Sequence, residues 1–162
     1  MGAGKTAIGK ELARLLKLDF LDADQELERR TGADIPLIFE KEGEAGFRRR
    51  EREIIQELTQ RDSLVLATGG GAVLDPANRE ALSRGFVIYL KATIEAQAAR
   101  TGKNRNRPLL QSTDPKARLE ELFAVRAPLY EGLARLTVDT DSGQVKKIAE
   151  RIVEALGSQE DA

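Results

Sequence analysis

The spacing of apolar residues changes period repeatedly along this chain. Between residues 5 and 17, Ile8, Leu12, Leu15 and Leu16 recur at helical spacing and fall on one face, which predicts a helix. The run LDFLDAD then reads as a short strand that ends in acids. Residues 25–31, 34–41 and 44–60 return to a helical period, separated by Gly32 and Gly43. SLVLATGGG is an apolar, β-branched run halted by three glycines, the pattern of a parallel strand buried on both faces. The alternation continues with a helix over 76–84, a strand in FVIYLK and a helix over 93–101. GKNRNRPLLQSTDP interrupts it with polar and Pro/Gly punctuation, so about 102–115 is expected to be a mobile surface segment. Residues 115–134 read as mostly helical with an interruption at Pro128, and LTVDT reads as the last strand. Val145, Ile148, Ala149, Ile152, Val153 and Leu156 form a regular stripe on a final helix. Residues 157–162, GSQEDA, are expected to fray.

Strands alternating with helices predict an α/β fold in one domain, with a mostly parallel central sheet and helices on both faces. Such sheets bind ligands at the carboxyl ends of their strands, so chemistry is expected just after each strand. Composition narrows what that chemistry is. The 162 residues carry a formal net charge of −1, with 33% charged and 41% hydrophobic residues. That balance supplies no basic field for nucleic acid. Without histidine, a general base near neutral pH must be a carboxylate, a lysine, or water held by one. Without cysteine there is no thiol nucleophile and no thiolate metal site, which suits a cytoplasmic setting. No apolar run reaches the ~18 residues of a membrane span.

Four stretches carry candidate chemistry. GAGKT, Gly2, Ala3, Gly4, Lys5 and Thr6, is a glycine-rich turn into a helix N-terminus, where backbone N–H groups and a positive dipole end favour phosphate. Lys5 would reach the outer phosphates and Thr6 a magnesium ion. Asp22 and Asp24, two apart at a strand end, would share a face. One could hold a metal–water shell while the other accepts a hydroxyl proton; the alternative is a turn that caps the next helix. In GEAGFRRRERE, Phe47 and Arg48 share a helix side with Glu51, so Glu51 could hold Arg48 while it grips a carboxylate. Arg49 and Arg50 point elsewhere, as solvated charges. In TGGG, Gly69, Gly70 and Gly71 permit close backbone approach to a ligand and positive φ.

The ordered set GxGK[ST], DxD, GE..FR..E, GGG, R.RPLL and R.PLY resembles the shikimate kinases, P-loop enzymes of the nucleoside-monophosphate-kinase-like fold, from Met1 to about Leu156. The resemblance implies a three-layer P-loop fold with a mobile lid at about 102–115. It also implies ATP and Mg²⁺ as cofactors, shikimate as substrate, and a monomer. Met1, Gly2, Ala3, Gly4, Lys5 and Thr6 would bind the ATP phosphates, with Thr6 on the metal and Asp22 holding it through water. Asp24 would contact the shikimate hydroxyls and act as base, and Arg48 and Arg126 would bind its carboxylate. Gly69, Gly70 and Gly71 would wrap the ring, with Phe39 and Phe47 as apolar pocket positions. Arg107 would be the lid arginine over the phosphates, while Arg100 and Gln144 would flank the adenine. Lys5, Asp24 and Arg107 are thus the expected catalytic residues.

The motif's first glycine would fall two positions before Met1, and the resemblance puts a strand before it. The expectation is an in-frame upstream extension of roughly ten to twenty residues carrying that strand. Without it, the sheet is expected to hold an apolar gap and the chain to fold poorly. Two rivals remain at this point. One is another small-molecule kinase of the same fold, gluconate-like or nucleotide-like; the other is a nucleotide-binding regulator with a dead kinase site.

Overall fold

The computed structural model describes residues 4–101, 114–141 and 143–160. The helical stripe at the start becomes α1, Lys5–Leu16, with Ile8 and Leu12 buried against Ile148, Ala149 and Ile152 of α7, Val145–Glu160. Gly9 lies in the middle of α1, although glycine in a helix interior costs about 1 kcal/mol relative to alanine. The reason is contact: a Cβ there would stand 2.5 Å from the ring of Phe20. α1 therefore lies close on the strand that follows it.

That strand, β1 (Asp19–Asp22), pairs in parallel with β2 (Leu64–Ala67), Phe20 opposite Val65. β3 (Ile88–Lys91) pairs in parallel with β4 (Leu136–Asp139). Parallel pairs need crossovers. α2 (Ala23–Thr31) and α3 (Ile35–Leu58) supply the first, and α5 (Ile94–Thr101) and α6 (Pro115–Leu133) lie in the second. A 3-10 turn, Gly70–Leu74, and α4, Pro76–Leu82, connect β2 to β3.

β2 shows why its sequence is apolar without alternation. Val65 packs into the cluster of α1, α7 and β4, whereas Leu64 and Leu66 pack into the cluster of α2 and α3. Successive strand residues point to opposite faces, and helices cover both.

Among the described residues the two ladders do not join into one sheet. A cavity of about 440 Å³ separates them, walled by Val65 and Leu66 of β2, Ile88 and Leu90 of β3, and Ile8 and Leu12 of α1. Val65 of β2 shares one apolar cluster with β3, β4, α1 and α7, so a common core spans both ladders across the apolar gap that was expected in the sheet.

Other elements differ in detail from the sequence reading. The first strand stops at Asp22, so Asp24 lies in the first turn of α2 and not on a strand. The Asp22 carboxylate accepts from the N–H groups of Asp24 and Gln25, at 2.9 and 3.2 Å, and so starts the helix at once. α3 is a single element in which Gly43, at φ 72°, breaks the helical geometry where two helices were expected to meet. α6 runs through Pro128; Pro128 and Ala124 are both exposed, so water can take the carbonyl freed by the missing N–H. α7 continues past Leu156 to Glu160. The segment at about 102–115 lies outside the described residues as far as 113, and Pro115 opens α6 behind its cap Asp114.

Candidate active site

Gly4 precedes α1 in the left-handed region, φ 79° and ψ 29°, a conformation that favours glycine. The N-cap of α1, Gly4, has no side chain to cap it, and among the described residues none does so, which leaves its first-turn N–H groups to a ligand. Lys5 and Thr6 occupy the first positions of the helix. The Thr6 hydroxyl donates to Asp22 Oδ2 at 2.8 Å, so residues 16 apart in sequence meet. A hydroxyl beside a carboxylate is a hard-oxygen pair of the kind that holds Mg²⁺ together with waters and phosphate. Asp22 thus serves two ends at once, capping α2 with one oxygen and bonding Thr6 with the other.

Asp24 follows on α2 and reaches the glycine turn after β2. A Cβ on Gly69 would lie 3.1 Å from both carboxylate oxygens of Asp24 and 3.4 Å from Glu51 Oε2. A Cβ on Gly71 would lie 2.3 Å from Arg48 Nη2. The glycines are therefore needed for close approach. Positive φ is not used here, because Gly4, Gly32 and Gly43 are the glycines that adopt it among the described residues.

Arg48 comes from the second half of α3. Its Nη1 donates to Glu51 Oε1 at 2.8 Å, its Cζ stands 5.1 Å from the centre of the Phe47 ring, and Glu44 lies 3.5 Å from Nη2. Phe47 is buried and packs against Phe39, ring centres 4.9 Å apart. Glu51 is 2% exposed; burial pushes its carboxyl above the usual range, although Arg48 draws it back. Its Oε2 has no hydrogen-bond partner among the described residues.

Arg126 arrives from α6. It is 3% exposed, and no described residue forms a salt bridge with it. Burial pulls its guanidinium below the ordinary arginine value, and Tyr130 partly offsets this. The Nε atoms of Arg48 and Arg126 both lack a partner among the described residues. A buried arginine with unfilled donors is costly unless an anion completes it. Two arginines, an acid at Asp24 and a close-packed glycine turn thus form one crevice that suits a small anionic, hydroxylated molecule.

Gln144 is exposed at the start of α7, where its carbonyl accepts from Ile148, and no described contact brings it to this crevice. Arg100 belongs to α5, but its side chain lies outside the described residues, as do Met1, Gly2, Ala3 and Arg107. Sequence reasoning quoted Tyr130 as the end of R.PLY but gave it no role; its hydroxyl donates to the Gly70 carbonyl at 2.6 Å. The available signal was its spacing, four residues beyond Arg126 on one helix.

Known proteins resemble this chain over nearly its whole length. The shikimate kinase family model matches residues 1–157. The chain is 56% identical over 160 residues to a shikimate kinase of Halorhodospira halophila, covering 98% of this chain and 90% of that one. It is 54% identical over 158 residues to a shikimate kinase of Pasteurella multocida, covering 96% and 90%. Among solved structures, a shikimate kinase from Acinetobacter baumannii in complex with shikimate matches with a TM-score of 0.96 at 51% identity, covering 98% of this chain and 89% of that one. Shikimate kinase from Aquifex aeolicus matches with a TM-score of 0.85 at 31% identity, covering 99% and 94%.

Proposed function

Because the chain belongs to the shikimate kinase family, we propose that it transfers the γ-phosphoryl group of ATP to the 3-hydroxyl of shikimate, giving shikimate 3-phosphate and ADP on the route to chorismate and the aromatic amino acids. The reading includes action as a cytoplasmic monomer; among the described residues no helix is long and apolar enough to cross a membrane. The observation that carries it is the pair of buried Arg126 and half-buried Arg48, with Asp24 beside them across the glycine turn.

The carboxylate of shikimate bridges Arg48 and Arg126 and fills the donors that the fold leaves open. Glu51 holds Arg48 in place for that contact. Gly69, Gly70 and Gly71 form the wall against which the ring lies, with Phe39 and Phe47 behind. Asp24 orients the hydroxyls and accepts the proton of the attacking one as the new O–P bond forms. The uncapped N-terminus of α1, with Gly4, Lys5 and Thr6, receives the phosphates, and Lys5 takes up charge that develops on them. Met1, Gly2 and Ala3 extend this loop, Arg107 shares the phosphate charge, and Arg100 and Gln144 flank the adenine; these assignments rest on the family resemblance. Thr6 and Asp22 would hold Mg²⁺, which when bound neutralises phosphate charge.

Incubation with ATP, Mg²⁺ and shikimate tests the reading. ADP and shikimate 3-phosphate should appear in equal amounts by coupled assay and mass spectrometry. Phosphorylation of gluconate or a nucleoside monophosphate in preference to shikimate, or ATP binding without turnover, would overturn it.

A further inference from the structure

Tyr130 sits where the two arginines and the glycine turn meet, and none of the roles above accounts for it. It lies four residues beyond Arg126 on α6, so both side chains project from one helix side. Its hydroxyl donates to the carbonyl of Gly70 at 2.6 Å, across 60 residues of sequence. Arg126 and Tyr130 also line one small cavity together. Its ring packs on Tyr89 of β3, centres 4.9 Å apart. The Tyr130–Gly70 bond thus ties the turn of α6 that carries Arg126 to the glycine turn.

We propose that Tyr130 is a positioning residue that fixes Arg126 against the glycine turn, so that Arg126 and Arg48 close on the same carboxylate. The inference rests on the proposed function. Three observations support it. Arg126 has no acid to orient it among the described salt bridges, so its place depends on the turn of α6 that carries it, which Tyr130 ties down. The next glycine, Gly71, is packed on the Arg48 guanidinium so closely that no Cβ would fit. The turn to which Tyr130 ties Arg126 is therefore the one on which Arg48 already rests, so holding Arg126 there brings the two arginines together. Burial raises the Tyr130 hydroxyl above the ordinary tyrosine value, so it remains a donor at neutral pH.

Tyr130→Phe removes the oxygen and keeps the ring on Tyr89. Initial rates with shikimate and ATP varied separately should show the KM for shikimate rising about tenfold. The KM for ATP, kcat and the melting temperature should hardly move. In the Arg126→Ala background, Tyr130→Phe should add almost nothing, because its effect passes through Arg126. An unchanged KM for shikimate would overturn the proposal. So would losses of kcat, ATP affinity and thermal stability in step, penalties that add in the double variant, or a variant that no longer folds, since each makes Tyr130 structural. A failure of the unmodified protein to phosphorylate shikimate would instead overturn the functional reading beneath it.

Discussion

Two arginine–glutamate clusters lie on neighbouring helices and behave in opposite ways. At the junction of α2 and α3, Glu26 accepts from Arg29 and Arg30, and Arg30 forks onto Glu57 with bonds of 2.6 and 2.8 Å. Arg29 and Glu57 are largely exposed, at 70% and 58% of their side chains. The Glu26 carboxyl is drawn down to about 2 by hydrogen bonds from Arg29 and Arg30. Around the glycine turn Glu51 and Arg126 are buried and Arg48 half-buried, Glu51 is pushed upward, and donors on Arg48 and Arg126 go unfilled. The first cluster satisfies itself, and the second is completed by what it binds. Charge pairing therefore marks the surface of this molecule, and incomplete pairing marks its site.

Substitutions in each cluster sharpen the contrast. The largest effect is expected at Asp24, the acid against Gly69: Asp24→Asn keeps the shape and should lower kcat by roughly 10²–10⁴-fold, with shikimate binding changed less. A near-normal kcat in steady-state assays would reduce Asp24 to a positioning group. Arg48→Ala should then raise the KM for shikimate about ten- to a hundredfold while ATP binding, measured by calorimetry, stays close to unmodified. Arg50, two residues on, is exposed and forks onto Glu42, so Arg50→Ala should leave both constants unchanged. If the two variants behaved alike, burial would not be what distinguishes the clusters.

Acid pH separates them more gently. Glu51 takes up a proton at higher pH than an ordinary glutamate, because burial penalises its charge. As pH falls, its grip on Arg48 should weaken early and the KM for shikimate should rise. Glu51→Gln should flatten that part of the profile, and an identical profile in the variant would count against this role. Glu26 has the opposite sign. Its folded value near 2 is below the ordinary 4.5, so its contribution to stability is complete above about pH 4.5 and is lost as pH falls toward 2. Melting curves across that range should show Glu26→Gln less acid-sensitive than the unmodified protein. Smallest of all, Glu57→Ala should barely move the midpoint of denaturant melts, as expected of an exposed pair.

Periodicity made the order of elements legible, and it selected Arg48 from a row of three arginines because only that one shares a side with Glu51. Adjacent motifs also predicted that Thr6 and Asp22 belong together. What stayed hidden depends on contacts between distant segments. The period gives the face of α6 that carries Arg126 and Tyr130, but not that Gly70 lies beneath it. Three glycines announced a special backbone, yet the cause was the bulk of Arg48 and Asp24 and not φ. Asp24 was displaced from strand to helix because one carboxylate, Asp22, caps α2 more effectively than the strand continues.

The divided sheet has a consequence for how the molecule opens. One apolar cluster joins α2, α3 and the first ladder, while another joins α1, α7 and the second ladder and takes in Val65 of the first. Regions that share only the edge of a core can exchange their amides in separate cooperative steps. α1 crosses the seam, with Phe20 of β1 against its Gly9 and α7 against its Ile8 and Leu12. The helix that begins with Lys5 and Thr6 is therefore also the pin between the two units. Amide protection in α1 reports whether they open together or one at a time.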